Sequence, residues 1–572
     1  MKVGSLQAWV GVLVCLGCSG GGAAAPVDAA VDATAAIDAT AAIDAPDAGR
    51  RVALRVLAIN DFHGHLRTPP GSPVTLPDGT VTTLGGVAFL APTLATLRAG
   101  APHSLFVSAG DLIGGSPLVS GLFHDEPTIE VMNVLGLDYN GVGNHEFDEG
   151  LAELRRMQVG GCHPTDDCSG APPFAGARFR FLAANVTETR AATTIFPRYD
   201  IREVGGVRVA TVGMTLRNTP GVVPASGVAG LDFAAEAATV NALVPELRRM
   251  GVETIIVLLH EGGSVAATSS PYTDCIGLTG PITAIDDALD DAVDAVVSGH
   301  SHAAYICRRG RRLVTSAGSF GRLVTAIDLQ IDPATGDVVA SEARNWPVVN
   351  TGTPDPAIAA LVARYEGLAA TREARVLGTL TATLDRAASP GGQTTLGSVV
   401  ADAQLEATRD AGAVVAFQHN GGLRADLEFA RGAAETADGQ VTFGEAFAVH
   451  PFGNALRTAT FTGAQIEAIL EGQFEPGRSV LQVSRGTSYT WDPALPAGAR
   501  IDPASVRIGG QALDLAATYR VTFNEAIPAG NPAFSAGTDL RIGPIDLEAL
   551  EAWFRARSPV DPPAADRILT PP

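Results

Sequence analysis

Short runs of apolar residues recur along the chain from residue 52 onward and predict an α/β fold. Amphipathic stretches separate several of these runs, and Gly251 is placed to end one of them, AATVNALVPELRRMG, as a helix. The runs themselves have the length and composition of buried or half-buried strands: RVALRVLAIN, HSLFVSAGD, RFLAANV, VRVATVGM, ETIIVLLHE and DAVVSGHS. In such proteins ligands bind just beyond the strand ends, so the residues that follow each run matter most.

A change of pattern at NTGTPDP, residues 350–356, predicts a boundary between two domains. The length of 572 residues agrees with this, since a single hydrophobic core rarely serves so long a chain. We predict a first domain at 51–350, a linker helix within 351–375, and a second α/β domain at 376–556 with strands in AGAVVAFQH, ALRTATFTG and TYRVTFN. Residues 557–572 are rich in proline and predict a loosely ordered tail.

The first residues have the layout of a secretory signal, with a lysine, an apolar run and small residues at the end of 1–18. The run is too short to predict a membrane-spanning helix. CLGC resembles a bacterial lipoprotein box in which Cys18 would be lipidated, although Cys15 stands where leucine is usual; simple secretion and a retained anchor remain alternatives. Residues 19–50 are an Ala/Asp-rich repeat and predict a flexible tether, so we expect a periplasmic or cell-surface protein.

Composition narrows the possible partners. Hydrophobic residues make up 46% and charged residues 18%, as in ordinary globular proteins. The net charge of −21 disfavours a nucleic acid polymer or an anionic membrane as a partner of the bulk surface. An anionic substrate would therefore need a local positive centre, such as a metal site.

Four cysteines remain beyond the signal, and an even number in an exported chain predicts disulfides. Cys162 and Cys168 bracket the small polar loop CHPTDDC and are expected to pair, which leaves Cys275 to pair with Cys307. The spacing does not suit a zinc finger.

Polar side chains follow five of the apolar runs. The candidates are Asp61 and His63 after VLAIN, Asp111 after LFVSA, Asn144 and His145 in GNHEFD, His260 after TIIVLL, and His300 and His302 in GHSH. Any one of them alone would be a cap or a turn residue, but five together predict a site. Carboxylate and imidazole donors without thiolates fit two divalent ions, for which Mn, Zn, Co, Fe and Mg all remain open.

The motifs DFH, GD, GNHEFD, H and GHSH, in this order, resemble those of the calcineurin-like metallophosphatases and, more narrowly, of the bacterial 5′-nucleotidase family. The resemblance extends from residue 52 to about 556. It implies a four-layer αββα sandwich followed by a C-terminal α/β substrate-binding domain. It also implies that one metal is bound by Asp61, His63, Asp111 and His302, and the other by Asp111, Asn144, His260 and His300, with Asp111 bridging.

The same resemblance makes His145 and Asp148 a catalytic pair, in which the carboxylate orients the imidazole toward the substrate. Glu146 is expected to be structural, as an acid at a helix start. Of the other histidines, His65 is a candidate for supporting the site from behind its ligands. Surface or packing roles are expected for the rest: His103, His124, His163 and His450.

Two loops of the second domain match substrate-binding motifs of the family. QHNGGLRADL points to Asn420 and Arg424, and HPFGN points to Phe452 as a ring that stacks on a base. The chain departs from the family where a second stacking phenylalanine is usual, since Glu525 stands there and Asn531 is followed by Pro532. Three other residues bear on the pocket: Phe523 or Phe534 could replace the lost ring, and Arg386 could supply an expected arginine.

The resemblance implies a metal-dependent 5′-nucleotidase, a phosphoric ester hydrolase that removes phosphate from nucleoside 5′-monophosphates or related nucleotides by metal-activated hydroxide attack. We expect it to act as a monomer, with its domains closing about the linker helix. Alternatives within the fold are a 2′,3′-cyclic phosphodiesterase, a nucleotide-sugar hydrolase and a thiosulfohydrolase-like enzyme. A non-catalytic nucleotide-binding surface lipoprotein is the alternative from another class.

Overall fold

The computed structural model describes residues 51–69, 74–75, 81–166, 168, 173–266, 272–432, 435–475 and 478–571. The signal and tether predictions at 1–18 and 19–50 lie outside the described residues. Within the described residues, every helix is too short or too polar to span a bilayer.

The first part of the chain forms two six-stranded sheets, and the predicted strands are among them. Its strands are β1 Val52–Ile59, β2 Val74–Thr75, β3 Val81–Thr82, β4 Ser104–Ser108, β5 Tyr139–Gly141, β6 Arg180–Leu182, β7 Val186–Glu188, β8 Thr193–Thr194, β9 Tyr199–Val204, β10 Val207–Met214, β11 Leu231–Phe233, β12 Thr254–Leu259, β13 Ala295–Ser298, β14 Ala304–Arg309, β15 Arg312–Ala317, β16 Leu323–Ile331 and β17 Val338–Pro347. The strand orders are β17-β16-β1-β4-β5-β6 and β14-β15-β13-β12-β10-β9. The central strands of both sheets are parallel, so their carboxyl ends share one edge.

Helices cover the outer face of each sheet. They are α1 Val87–Ala99, α2 Leu118–Gly121, α3 Glu126–Leu135, α4 Gly150–Val159, α5 Glu236–Arg249 and α6 Pro281–Ala288. Side chains of β1 alternate: Leu54 and Val56 enter the core between the two sheets, whereas Leu57 and Ile59 pack under α1, α3 and α4. A third core lies between the second sheet and α5 and α6. These layers are the predicted αββα sandwich.

Helix α7, Pro356–Glu373, lies within the predicted linker. The Asp355 carboxylate caps it by accepting hydrogen bonds from the backbone N–H groups of Ala357 and Ile358. Its apolar face, which includes Ile358 and Tyr365, belongs to the same core as α1 and α3, and the helix also contacts the helix Phe443–Val449 of the second part. The linker therefore packs against both parts of the chain.

The second part of the chain is a smaller α/β unit. Its elements are β18 Val376–Thr379, α8 Thr395–Ala407, β19 Val415–Gln418, β20 Gln440–Thr442, α9 Phe443–Val449, β21 Ala455–Thr462, α10 Gly463–Gly472, β22 Gln482–Val483, β23 Tyr489–Thr490, β24 Arg507–Ile508, β25 Gln511–Ala512, β26 Thr518–Asn524, α11 Ile527–Gly530, β27 Thr538–Ile545, α12 Asp546–Arg557 and β28 Ile568–Leu569. Its main sheet has the order β22-β19-β26-β21-β27.

The prediction of a loose tail is wrong. Residues Ile568 and Leu569 form β28, which pairs in parallel with β23, and Ile568 is buried in the second hydrophobic core of this part. The Arg567 guanidinium donates two hydrogen bonds to the Asp402 carboxylate at 2.8 and 2.9 Å. A partly buried ion pair and the buried side chain of Ile568 hold the segment, although its proline content suggested otherwise.

Both expected disulfides, Cys162–Cys168 and Cys275–Cys307, are present. Replacing Cys275 and Cys307 with alanine should lower the free energy of unfolding by about 3.7 kcal/mol, because their separation of 32 residues closes a long loop in the unfolded chain. Replacing Cys162 and Cys168, which are 6 apart, should cost about 2.2 kcal/mol and serves as the comparison. Denaturant unfolding measures both, and an equal or reversed order would contradict the loop-closure explanation.

Candidate metal centre and substrate cavity

Five parallel strands, three from the first sheet and two from the second, end at one edge of the sandwich. Strands β1, β4 and β5 are neighbours in one sheet, and β12 and β13 are neighbours in the other. The seven side chains predicted as ligands follow these strands directly, and the structure brings them together: Asp61, His63, Asp111, Asn144, His260, His300 and His302. All but the last two are fully buried residues.

One group of donors consists of Asp61, His63 and His302, whose ligand atoms all lie within 4.8 Å of one another. The His63 Nε2 atom is 3.2 Å from His302 Nε2, and His302 Nε2 is 3.5 Å from Asp61 Oδ1. The three donor atoms are therefore close enough to share one coordination sphere.

A second group consists of Asp111, His260 and His300, again within 4.8 Å, together with Asn144. The Asn144 Oδ1 atom is 3.1 Å from His260 Nε2 and 2.9 Å from His300 Nδ1. The Asp111 Oδ2 atom is 3.1 Å from His260 Nε2 and 3.6 Å from His63 Nε2 in the first group. Asp111 thus lies between the two groups, in the place expected of a bridging ligand.

Backbone carbonyls fix the tautomers of two imidazoles. The Nδ1 atoms of His63 and His260 lie 2.7 and 2.8 Å from the carbonyl oxygens of Gly114 and Ala109, to which they can only donate. When each ring is neutral, its Nε2 atom therefore carries the lone pair and faces the other ligand atoms. Carbonyl partners of this kind orient the histidine ligands of many metal sites.

The protonation of the site also suits cation binding. Burial lowers the pKa of His300 to about 4 and of His302 to about 3, so both rings are neutral donors at pH 7. His260 differs: burial lowers its pKa, but the Asp111 carboxylate more than offsets this and raises the pKa to about 10. The proton on His260 thus offsets the negative charge of the Asp111 carboxylate. A divalent cation bound there would offset the same charge.

The donor set therefore fits two divalent first-row ions. It offers imidazole nitrogens, carboxylates and one amide oxygen, with no thiolate among the described residues that form it. Five of the seven residues have left-handed backbones, with φ of 49° at Asp61, 47° at His63, 49° at Asp111, 66° at His300 and 55° at His302. Residues other than glycine seldom adopt this conformation, and it costs roughly 1 kcal/mol or more each, so the surrounding structure must hold it.

Two residues that the sequence analysis did not assign to the site, Asn60 and Glu146, hold the metal ligands in place. Asn60 donates from Nδ2 to Asp61 Oδ2 at 2.6 Å and accepts from the Ala317 N–H at 2.7 Å, which fixes the Asp61 carboxylate. Glu146 is structural as expected, but for another reason than a helix dipole. Its buried carboxylate accepts hydrogen bonds from the N–H groups of Asp111, Leu112 and Gly143 and from the Asn140 side chain.

The His145 imidazole lies beside the metal ligands and on the wall of the main cavity. Its Nδ1 atom is 2.9 and 3.1 Å from the two Asp148 carboxylate oxygens, so the predicted pair is formed. Burial disfavours the imidazolium, but Asp148 and Asp111 outweigh it, and the pKa of His145 is raised. The ring is also 5.0 Å, between centroids, from His63.

A cavity of about 330 Å³ extends from this pair to the second part of the chain. Arg424 and Phe452 line it, and the Phe452 ring stacks on His145 with centroids 5.4 Å apart and planes at 17°. The Arg424 guanidinium lies 5.6 Å from the Phe452 centroid, and none of the ion pairs among the described residues includes it. Asn420 is adjacent to the cavity residues His419 and Gly421, and its buried Oδ1 has no protein hydrogen-bond partner among the described residues.

The departures from the family pattern do not affect the cavity as expected. Glu525 is turned away from it, with its carboxylate 2.8 Å from the Arg457 guanidinium. Neither Phe523 nor Phe534 replaces the missing ring, because both are buried in the core. The aliphatic side chain of Ile527 lines the cavity instead.

Arg386 does not line the cavity. Its guanidinium binds Asp426 at 2.7 Å and donates to the carbonyl oxygens of Leu423 and Arg424, so it supports the loop that carries Arg424. The arginine that does line the cavity beside Arg424 is Arg478.

The remaining histidines have varied surroundings. His65 stacks on Phe320 at 3.9 Å and its Nδ1 lies 2.9 Å from the His63 carbonyl oxygen, so it contacts the site from behind. His103 is partly exposed, and His450 is buried next to Asp546. His124 and His163 were expected at the surface or in packing, and they stack on each other beside several carboxylates.

Comparison with known proteins identifies two domains. Residues 54–304 match the family model described as calcineurin-like phosphoesterase, and residues 376–538 match the 5′-nucleotidase C-terminal domain. The chain is 26% identical in sequence to a 5′-nucleotidase precursor from Thermus thermophilus, whose crystal structure superposes with a TM-score of 0.70 over 91% of this chain and 99% of that one.

Two curated relatives match most of this chain. Endonuclease YhcR of Bacillus subtilis is 31% identical over 88% of this chain and 40% of its own length, and cell wall protein Lmo0130 of Listeria monocytogenes is 30% identical over 86% and 65%. The chain thus spans less than two thirds of either relative. Domain matches, fold and strand-end motifs agree, and the chain belongs to the 5′-nucleotidase family of the calcineurin-like metallophosphatases.

Proposed function

We propose that the chain is a two-metal phosphohydrolase that removes phosphate from nucleoside 5′-monophosphates or related nucleotides. The observation that carries this proposal is the convergence of seven oxygen and nitrogen donors beside the His145–Asp148 pair, which lines a cavity formed by residues of both domains. Binding alone would not need an imidazole held by a carboxylate at that place.

Asp61, His63, Asp111 and His302 would hold one cation, and Asp111, Asn144, His260 and His300 the other. When bound, such a pair of cations supplies Lewis acidity and a nucleophile at neutral pH. The identity of the ions is a proposal within the range Mn, Zn, Co, Fe and Mg, which these donors all accept.

The protein groups around the cations have separate tasks. Asp148 holds Nδ1 of His145, which leaves Nε2 to donate a hydrogen bond to phosphoryl oxygen and a proton to the leaving ribose oxygen. Arg424, with its charge uncompensated by any ion pair of the described residues, faces the same cavity and would bind a phosphate or ribose oxygen. Phe452 would offer its outer face to a base.

A phosphate-release screen tests this proposal. Full-length protein with added Mn²⁺ should release phosphate from AMP, GMP, CMP and UMP, with modest base discrimination, because Phe452 is the one Phe, Tyr or Trp among the described residues that line the cavity. The screen includes 2′,3′-cyclic AMP, a nucleotide sugar, single-stranded DNA and thiosulfate. Sulfate from thiosulfate, or nucleotides from DNA, without phosphate from any monophosphate would overturn the proposed substrate class.

Replacing Arg424 with alanine should raise KM for AMP and lower kcat/KM by about 10- to 150-fold, the loss expected when a hydrogen-bonded charge pair of about 1.5–3 kcal/mol is removed. The matched control is Arg478→Ala, because Arg478 also lines the cavity but already donates to the Gly472 carbonyl oxygen. Steady-state kinetics with AMP measures both. Equal losses would show that Arg424 has no special contact with substrate.

We also propose that the chain is exported to the periplasm or cell surface. The signal-like residues 1–18, two disulfides, which persist in oxidising compartments, and a relative named a cell wall protein support this. Mass spectrometry of the mature N-terminus would find Cys18 lipidated, or a cleaved end without lipid. An intact Met1 on cytoplasmic protein would contradict export.

A further inference from the structure

A second group of metal-ligating side chains lies apart from the centre described above. It consists of His124, Glu149, Glu153 and His163, whose ligand atoms all lie within 4.8 Å of one another. His124 precedes α3, the two glutamates stand at the start of α4, and His163 lies in the loop closed by Cys162–Cys168. We call these four residues the outer cluster.

The two imidazoles of the outer cluster share one carboxylate. Their rings stack with centroids 3.7 Å apart and planes at 10°, so they present parallel edges. The Glu149 Oε2 atom is 2.8 Å from His124 Nδ1 and 3.9 Å from His163 Nε2. A small shift of these side chains, two of which are largely buried, would place one ion among three donor atoms.

Like many metal-binding histidines, His124 has a carboxylate partner, Asp166, on the ring nitrogen that would not bind the metal. Its Nε2 atom is 3.0 Å from Asp166 Oδ2, so the ring can donate there and leave Nδ1 with a lone pair. Carboxylates of this kind orient zinc-bound imidazoles. His163 must donate from Nδ1 to Thr165 Oγ1, 3.1 Å away, and give up the 3.2 Å hydrogen bond from the Asp166 N–H.

Charge also favours a cation. Glu149, Glu153 and Asp166 carry three negative charges. Apart from the imidazoles, the one cation that pairs with them among the described residues is the Arg156 guanidinium, 2.8 Å from Glu153 Oε2. A divalent cation among these donors would offset the excess negative charge.

We propose that the outer cluster binds one divalent first-row cation, with zinc as the best fit to two imidazoles and carboxylate oxygen. The ion would join the start of α3, the start of α4 and the disulfide loop. Since Glu149 follows Asp148 directly, it would also hold the segment that carries the catalytic pair. The inference does not depend on the proposed function.

Zinc counting tests the proposal. Full-length protein stripped with EDTA is dialysed against Zn²⁺ alone, and bound zinc per chain is measured by mass spectrometry of the metal. The wild type should retain about one zinc ion more than His124→Ala/His163→Ala, because two of its nitrogen ligands are lost. His103→Ala, a histidine outside both groups, should match the wild type.

Glu149→Gln guards against misfolding of the double variant, because it removes the shared charge and keeps the size of a side chain that is 43% exposed. It should also bind about one zinc ion fewer and show a smaller zinc-dependent rise in melting temperature than the wild type. Far-UV circular dichroism on the same samples reports folding. Equal zinc counts in the wild type and in folded Glu149→Gln would overturn the proposal and leave a cluster of ion pairs.

Discussion

Replacing Asp111 with asparagine should lower both the amount of bound metal and the rate of turnover. The Asp111 Oδ2 atom is 3.1 Å from His260 Nε2 and 3.6 Å from His63 Nε2, so one oxygen serves both groups of ligands. The amide would place an N–H₂ group or a neutral oxygen there. Loss of charge stabilisation worth several kcal/mol corresponds to a fall in kcat/KM of about 10³-fold or more.

The substitution is close to isosteric, so the fold should survive. The other oxygen of Asp111 accepts a hydrogen bond from the His145 N–H at 2.8 Å, and the asparagine carbonyl can keep it. Asp294→Asn is the control, since Asp294 is also a buried carboxyl but lies directly before β13 of the second sheet and accepts a hydrogen bond from the Ile255 N–H. Metal content of dialysed protein and AMP hydrolysis measure the effect. Wild-type metal content in Asp111→Asn would remove Asp111 from the bridging position.

The sequence was most informative where a local pattern dictates the structure. An apolar run ending in a polar residue, as at Ile59 before Asp61 or Leu259 before His260, predicts both a strand and a side chain at its carboxyl edge. Because parallel strands share that edge, the convergence of ligands from both sheets followed from the runs and from the family motifs together.

Contacts between distant residues could not be predicted in this way. Glu525 was aligned with a pocket position, but Arg457, 68 residues away, draws its carboxylate aside. Glu146 joins three N–H groups from two loops, and no periodic pattern records that. The chain end looked loose because proline disfavours regular structure, whereas Arg567 and Asp402, 165 residues apart, hold it.

Replacing His145 with alanine should lower kcat for AMP by about 10²- to 10⁴-fold, the usual contribution of a positioned general acid. The bound metal should stay at the wild-type level. Measuring the bound metal distinguishes two roles for His145, general acid and metal ligand. The second role is open because ligand atoms of His145, His63 and Asp111 lie within 4.8 Å of one another. A parallel loss of metal would make His145 a ligand and contradict the assigned role.

The Asp148 partner allows a stricter test of the same claim. Asp148→Asn keeps the imidazole but removes the carboxylate that holds Nδ1 at 2.9 Å, so kcat should fall in the same direction as in His145→Ala. If the two residues act as one unit, the double variant should be about as slow as His145→Ala alone. Additive losses would show instead that Asp148 contributes independently of the imidazole. Because the Asp148 carboxylate contacts Nδ1 of that ring, we expect the non-additive result.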